Sequence, residues 1–299
     1  MKQQQNIIVK YIPITFILLW ATGFLGARYA MPYAEPFAFL TIRFAVTLII
    51  LGGAAFFLKV KFPKGTALFY ALITGALIHT IYLWSVFWSI KQGFPVGFVG
   101  IIIGLQPIIT ALLAMQIIKD KITKIQVLGL IIGFFGVGLV LLPNGFSNFD
   151  KANLLFAFVV LLGIVVFSLG TVLQKKYSNE KTLLGTIIAQ YVGALALSLP
   201  LALMFETFTF KWNGQLIFAF IWLVLVLSIG AIILLMIMIK AGEATKTATY
   251  FYLVPVITAI TAYFLFGETL NAIQIFGMII TSAGVMLATI FSTGFKRKN

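Results

Sequence analysis

The chain alternates long apolar runs with short polar breaks. A membrane-spanning helix needs about 20 apolar residues, and ten runs of this kind fit the sequence. They cover residues 11–30, 36–58, 66–90, 94–117, 124–142, 152–174, 182–204, 214–239, 245–266 and 271–291. The longest break, 142–153, is rich in Asn, Gly and Pro, as expected of a turn. The pattern predicts an all-α membrane protein with ten transmembrane helices and no soluble domain.

The basic residues follow the same alternation. If the N-terminus is cytoplasmic, 16 of the 21 Lys and Arg residues fall on the cytoplasmic side, whereas the opposite side holds only Arg28, Lys91, Lys151 and Lys211. Arg43 is the remaining one and lies within a run. Because Lys and Arg accumulate in cytoplasmic loops, we predict a multi-pass protein of the inner (cytoplasmic) membrane with both termini in the cytoplasm.

One stretch of the chain occurs twice. Residues 104–140 align with 252–288 at a constant offset of 148, and 14 of 37 positions are identical. The matches pair Pro107 with Pro255 and Gln126 with Gln274, which shared apolar composition alone would not produce. We predict two repeats, residues 1–145 and 146–299. Because each repeat holds five helices, the second starts on the opposite face, and the halves are inverted repeats, as in many secondary transporters.

Composition agrees with the membrane assignment. Hydrophobic residues make up 62% of the 299 residues and charged residues 9%, against about 25% charged in a soluble domain. The net charge of +14 therefore reflects membrane orientation and not nucleic-acid binding. The chain has no cysteine, which excludes disulfides and thiol catalysis.

The duplicated segments resemble a known family. The sequence LVPVITAITAYFLFGETLNAIQIFGMIITSAGV in the second repeat is similar to the motif of the drug/metabolite transporter superfamily, EamA type. The first repeat departs from it at Lys119-Asp120, where that family more often has Gly-Glu, and Arg43 matches the family pattern L-x-x-R-F. The resemblance implies export of amino acids, related metabolites or drugs, or import of sugars or nucleotide-like metabolites, because fold does not fix the substrate.

The sequence lacks several kinds of catalytic or coupling site. All seven acidic residues fall in loops or at helix ends, there is one histidine, and no phosphate-binding loop occurs. We therefore predict no enzymatic activity, no metal and no cofactor. A channel would be favoured by a ring of like polar residues, and none is visible in the sequence.

Two ionisable groups lie inside predicted spans. A charge in lipid costs at least ~2.5–3.5 kcal/mol, so Arg43 should face protein or a water-filled cavity. It is either a clamp for a carboxylate or phosphate, or a structural cap for helix-end carbonyls. His79 starts a helical face that continues through Tyr82, Val86 and Ser89. It either binds substrate or relays a proton, or it is a neutral residue bonded to the backbone.

Prolines within predicted spans mark possible hinges. Pro107 and Pro255 each remove a backbone donor at equivalent places, which predicts a flexing kink, with a static kink as the alternative. Gln190 aligns with Arg43 at an offset of 147, which suggests a pair of residues beside one site. The predicted substrate-binding residues are Trp20, Arg43, His79, Tyr82, Gln106, Gln190, Tyr191 and Tyr252.

These observations predict a secondary transporter that works by alternating access. We expect an exporter of an amino acid or related metabolite, with its site between helices 1–4 and 6–9. The alternatives are an importer of a sugar or nucleotide-like metabolite, or a drug exporter. The expected partners are a small-molecule substrate, the lipid bilayer and, as a candidate coupling ion, the proton. Glycine-rich helices 5 and 10 are expected to pack closely or to form a dimer, and the protein is predicted to be a monomer or homodimer.

Overall fold

The structure, a computed structural model, describes residues 2–119, 123–141, 151–178, 182–231, 233–234 and 253–293. These residues are almost entirely helical. The helices in the described part of the chain are α1 (Lys2–Ala30), α2 (Pro36–Phe57), α3 (Thr66–Lys91), α4 (Val96–Ile117), α5 (Lys124–Leu141), α6 (Lys151–Tyr177), α7 (Leu183–Phe205), α8 (Gly214–Gly230), α9 (Leu253–Phe266) and α10 (Ala272–Thr293). The predicted repeat boundary at 145/146 lies outside the described residues.

Five of these helices are long and apolar enough to cross a membrane, namely α2, α3, α4, α6 and α7. The other five contribute shorter apolar stretches of 10–17 residues within the described part of the chain. A multi-pass helical membrane protein is therefore the observed architecture. The count of ten spans stays a prediction.

Equivalent residues begin α5 and α10 in the same way. The Gln126 side chain accepts from Thr123 N at 2.8 Å while Thr123 Oγ1 accepts from Gln126 N at 3.2 Å. The Gln274 side chain accepts from Asn271 N at 2.9 Å while Asn271 Oδ1 accepts from Gln274 N at 2.9 Å. Each is a reciprocal capping box that satisfies helix-end donors. The two glutamines that align in the sequence thus have one structural role.

Small residues let α5 and α10 cross with their backbones in contact. A Cβ on Gly136 would lie 2.7 Å from Gly277 O, and a Cβ on Gly284 would lie 2.7 Å from Gly129 O. Since Gly129 and Gly277 are themselves partners at the 148-residue offset, the two contacts are equivalent under exchange of the halves. Close approach of this kind is a recurrent means of packing membrane helices.

Three helices near the centre of the bundle are irregular. Within α3, residues Ala76–Ile81 form a π-helical stretch, and a second one covers Trp222–Gly230 in α8. The helix α4 is interrupted at Gly104 and Leu105, so that Pro107 falls in the first turn of its second segment, Gln106–Ile117. π-Helical turns are rare and occur often at functional sites. The two π-helical stretches each lie in the third helix of their half of the chain.

Candidate functional site

A cavity of about 120 Å³ lies among α1, α2, α3, α6, α7 and α8. Most of its wall is apolar, from side chains such as Phe16, Phe24 and Leu223. Of the predicted substrate-binding residues, five line it: Trp20, Arg43, His79, Tyr82 and Tyr191. No described residue of α4 or α9 lines it, although the sequence predicted a site that includes both helices.

Arg43 supplies a cation to this wall. Its residue is 7% exposed, and its Nε donates to Ser228 Oγ on α8 at 3.2 Å. Within the described part of the chain, Arg43 forms no ion pair, and the described carboxylates bond elsewhere: Glu35 to Thr207, and Glu206 and Glu268 to backbone N–H groups. A buried guanidinium is costly without an anionic partner. The position is therefore suited to a negatively charged group of a bound molecule.

His79 sits in an aromatic stack beside Arg43. Its ring lies 4.7 Å from that of Tyr191 at an interplanar angle of 12°, and Phe44 contacts both rings edge-on or tilted. The side chains of His79 and Gln190 are within hydrogen-bonding reach. Gln190 Nε2 also donates to Thr74 Oγ1 at 3.2 Å, which ties α7 to α3. Gln190 thus supports the stack from behind and is not itself part of the cavity wall.

Trp20 and Tyr82 form another part of the wall through Phe167. The Trp20 and Phe167 rings lie 6.4 Å apart in a T-shape, and those of Tyr82 and Phe167 lie 4.7 Å apart. The Tyr82 hydroxyl is buried without a hydrogen-bond partner among the residues that the structure describes. Val86, also predicted on this helical face, lines the cavity, whereas Ser89 bonds to the Ser85 carbonyl at 2.8 Å.

The remaining predicted residues lie away from the cavity or outside the description. Gln106 is not part of the described wall. Its carbonyl and Thr110 are both within bonding distance of the Ser168 hydroxyl, so α6 contacts the start of the second segment of α4. The Pro255 ring packs against Gly104 of that break, where a Cβ would lie 2.8 Å from it. Tyr252 lies outside the described residues.

Ser228 and the two π-helical stretches were not predicted from the sequence. Ser228 is buried, bonds to Arg43 and interacts with the Tyr191 side chain. The sequence did contain a signal for Ser228, because it is the one polar residue in the apolar run LVLVLSIG at 223–230. A polar group in such a run should face protein or a cavity.

Comparison with known proteins agrees with this architecture. The family model of the EamA-like transporter family matches residues 10–142 and 154–290. "Uncharacterized transporter YyaM" of Bacillus subtilis is 28% identical over 303 residues, covering 94% of this chain and 95% of the relative. "S-adenosylmethionine uptake transporter" of Rickettsia prowazekii is 26% identical over 193 residues, covering 64% of this chain and 61% of the relative.

A protein of known crystal structure has the same fold. It superposes with a TM-score of 0.65 over 96% of this chain and 98% of its own, at 17% sequence identity. At that identity the likeness concerns the fold alone.

Proposed function

The chain belongs to the EamA-like transporter family, and we propose that it is a secondary transporter that moves a small anionic metabolite across the cytoplasmic membrane by alternating access. The most specific form of the proposal is export of an amino acid or a related carboxylate. The protein would have ten spans, cytoplasmic termini and a central site bound by both halves, and it would act as a monomer or homodimer.

Contacts between helix ends support an inverted arrangement of the halves. Glu206, which follows α7, bonds to backbone N–H groups at the start of α2. Glu268, which follows α9, bonds to N–H groups at the start of α4. The beginning of a helix in the first half therefore meets the end of its counterpart in the second. That arrangement is expected of inverted repeats, in which the halves rock around a central site.

The proposed substrate class is inferred from Arg43. Its charge is buried at the cavity wall and has no described carboxylate partner, so a substrate carboxylate is the natural counterion. The apolar remainder of the wall suits an aliphatic or aromatic body. A cavity of about 120 Å³ is smaller than the ~300–1,000 Å³ pockets that hold drug-sized ligands, which favours a small metabolite.

Transport in proteoliposomes tests this assignment. Pools of labelled amino acids, 2-oxo acids, sugars and nucleotides would be offered to native protein and to Arg43→Gln and Arg43→Lys. A hydrogen bond to a charged group contributes about 1.5–3 kcal/mol, so Arg43→Gln should lose roughly tenfold to a hundredfold in affinity for the transported acid. Arg43→Lys should retain part of it. Transport of neutral sugars alone, unaffected by either variant, would contradict the proposal.

Proton coupling, where it operates, would pass through His79. The residue lines the cavity and stacks on Tyr191, and histidine is the side chain whose ordinary pKa lies near physiological pH. We expect His79→Gln to bind substrate but to lose accumulation driven by a pH gradient, keeping downhill exchange. A drop in affinity with gradient dependence intact would instead make His79 a direct ligand. Unchanged affinity and unchanged coupling would make it a structural residue.

Import is the second candidate, and the relatives favour it. The Rickettsia protein is named for S-adenosylmethionine uptake, so one matched protein carries substrate inward. Sided transport measurements in vesicles of known orientation separate the two directions. The proposed anionic site is common to both, because Arg43 would hold the same carboxylate in either direction of movement.

A further inference from the structure

Two loops meet at the end of the bundle where α2 and α8 begin. The loop between α1 and α2 meets the loop between α7 and α8 at an antiparallel bridge between Ala34 and Phe210. Lys211 N donates to Tyr33 O at 2.9 Å, and Tyr33 Oη donates to Gln215 Oε1 at 2.6 Å. By the charge distribution this end is the extracytoplasmic one. Every one of these contacts joins the first half of the chain to the second.

Two carboxylates cross this junction in opposite directions, and we call them the clasp. Glu206 accepts from Phe37 N at 2.9 Å and from Ala38 N at 2.7 Å, so the second half caps α2. Glu35 accepts from Thr207 N at 2.7 Å and from Thr207 Oγ1 at 3.1 Å, so the first half holds the chain just after α7. Hydrogen bonds to a carboxylate are stronger than neutral ones, and donors at a helix start favour it further.

A layer of aromatic rings lies between the clasp and the cavity. Phe39 of α2 is fully buried, with its ring 5.8 Å from Phe87 of α3 and 5.8 Å from Phe220 of α8. Phe87 also lines the cavity. Along α2 the order is Arg43 at the cavity, Phe39 one turn further, and the clasp at the helix start. Three helices are thus joined by apolar contacts directly above the site.

We propose that the clasp and this aromatic layer together form the extracytoplasmic gate of the transporter, and that the structure has this gate closed. The inference rests on the proposed function, because only a transporter must open this route. Substrate can cross the layer only when α2 and α8 separate. The clasp ties the start of α2 to the end of α7, and the bridge at Phe210 ties the same loop to the chain just before α8, so together they restrain that separation. The clasp therefore has to break once in every transport cycle.

The test uses a reporter cysteine in the cavity wall. The chain has no cysteine of its own, so Leu227→Cys is the single reactive thiol. A membrane-impermeant maleimide is added to either face in vesicles of known orientation. Native clasp residues should leave the reporter poorly labelled from the gate side, compared with Pro32→Cys on the exposed loop between α1 and α2. Glu35→Ala with Glu206→Ala should raise labelling from that side roughly tenfold or more, because the closed population falls.

A matched control lies in the same loop. Asn213 Oδ1 accepts from Leu216 N at 2.9 Å, which caps its own helix and does not join the two halves. Asn213→Ala removes a cap of the same kind and should leave labelling of the reporter unchanged. The proposal would be overturned if Asn213→Ala and the clasp variant raised the labelling of Leu227→Cys equally. It would also be overturned if the reporter were labelled rapidly with the native clasp, or if the clasp variant had no effect on labelling.

A second variant locks the gate instead of opening it. Residues paired across an antiparallel bridge have Cα atoms about 4.5–5.5 Å apart, which is within the range of a disulfide. Ala34→Cys with Phe210→Cys should oxidise and reduce labelling of Leu227→Cys from the gate side further, as read by peptide mass spectrometry. Labelling that persists through the oxidised pair would overturn the gate. The face from which the effects occur tests the proposed orientation separately, since a reversed topology would move them to the other side without abolishing them.

Discussion

The substitution Gly75→Ala, which adds one methyl group between α3 and α7, should disturb the packing that supports the cavity. Gly75 lies one turn before His79, where α3 crosses α7. A Cβ built on Gly75 would lie 2.5 Å from the Gln190 carbonyl carbon and 2.6 Å from its Cα. The Gln190 carbonyl oxygen would lie closer still. Ordinary contact begins at 3.4 Å, so Gly75→Ala would force at least about 0.9 Å of separation between two backbones, an overpacking that rotamer changes cannot relieve.

The expected cost follows from three contributions. Overpacking costs about 1–3 kcal/mol. The Gln190 to Thr74 hydrogen bond, 3.2 Å long in the native structure, would stretch beyond bonding distance, at about 0.6–2 kcal/mol for an interhelical bond. Replacing a helical glycine by alanine returns up to about 1 kcal/mol. The net destabilisation of Gly75→Ala is therefore about 0.6–5 kcal/mol.

Thermal unfolding in detergent, with transport beside it, measures this cost. At about 2–4 °C per kcal/mol, Gly75→Ala should unfold at least about 1 °C below native protein. It should also transport more slowly, because the His79–Tyr191 stack spans the same crossing. Gly53→Ala is the control, since nothing lies within 4 Å of a Cβ there, and it should be as stable as native or more so. Equal unfolding temperatures for Gly75→Ala and native protein would refute the crossing geometry.

Three further predictions concern hinges, gate and orientation. Pro107→Ala and Pro255→Ala should each slow transport while preserving folding, as judged by gel filtration and flux; normal rates in both would contradict a hinge. Burial raises the pKa of Glu206, and the nearby Glu35 also raises it, whereas its two N–H partners and Lys91 lower it. Because the clasped carboxyl then binds a proton more tightly than an open, hydrated one, the closed gate should gain population as the pH falls through that pKa. Distances between spin labels on the two loops check this, and pH-independent distances would refute it. Alkaline phosphatase fused after Phe149 should be active and fused after Asn299 inactive; the reverse result would contradict cytoplasmic termini.

The apolar pattern located most helices because a membrane segment must satisfy its own backbone hydrogen bonds. Run 66–90 corresponds to α3 and run 182–204 to α7, within a residue or two at each end. Arg43 and His79 could be singled out from the sequence because an ionisable residue inside a membrane helix is rare and usually has a functional or structural role. The structure places both in the cavity wall. Their role in binding stays a prediction.

The partners of those residues could not be read from the sequence. Ser228 is an ordinary residue in an apolar run, and only the packing of α8 against α2 brings it to Arg43. Gln106 is polar and lies within a span, as Arg43 does, yet its helix turns it away from the described wall. The π-helical stretches in α3 and α8 were likewise not predicted from the residue pattern. Local pattern identifies the polar residue, and tertiary packing decides what it faces.

The repeat predicts a correspondence between two polar contacts around the cavity. Arg43 of α2 bonds to Ser228 of α8, and Gln190 of α7 lies beside His79 of α3. Arg43 and Gln190 are 147 residues apart, and His79 and Ser228 are 149 apart, one residue either side of the 148-residue repeat offset. We therefore predict that each contact is the counterpart of the other under exchange of the halves.

The two members of this pair differ in charge, and that difference bears on selectivity. The first half places a guanidinium at the cavity wall, and the second half places a neutral amide just behind the wall, so one fixed positive charge and not two acts on the cavity. A second buried cation would add a desolvation cost and repel the first, and it would suit a dianion. With Gln190 at the equivalent position, the duplicated scaffold is matched to one negative charge. Gln190→Arg should therefore shift preference from monocarboxylates towards dicarboxylates, and a competition assay against labelled monocarboxylate that shows no such shift would contradict this account of the pair.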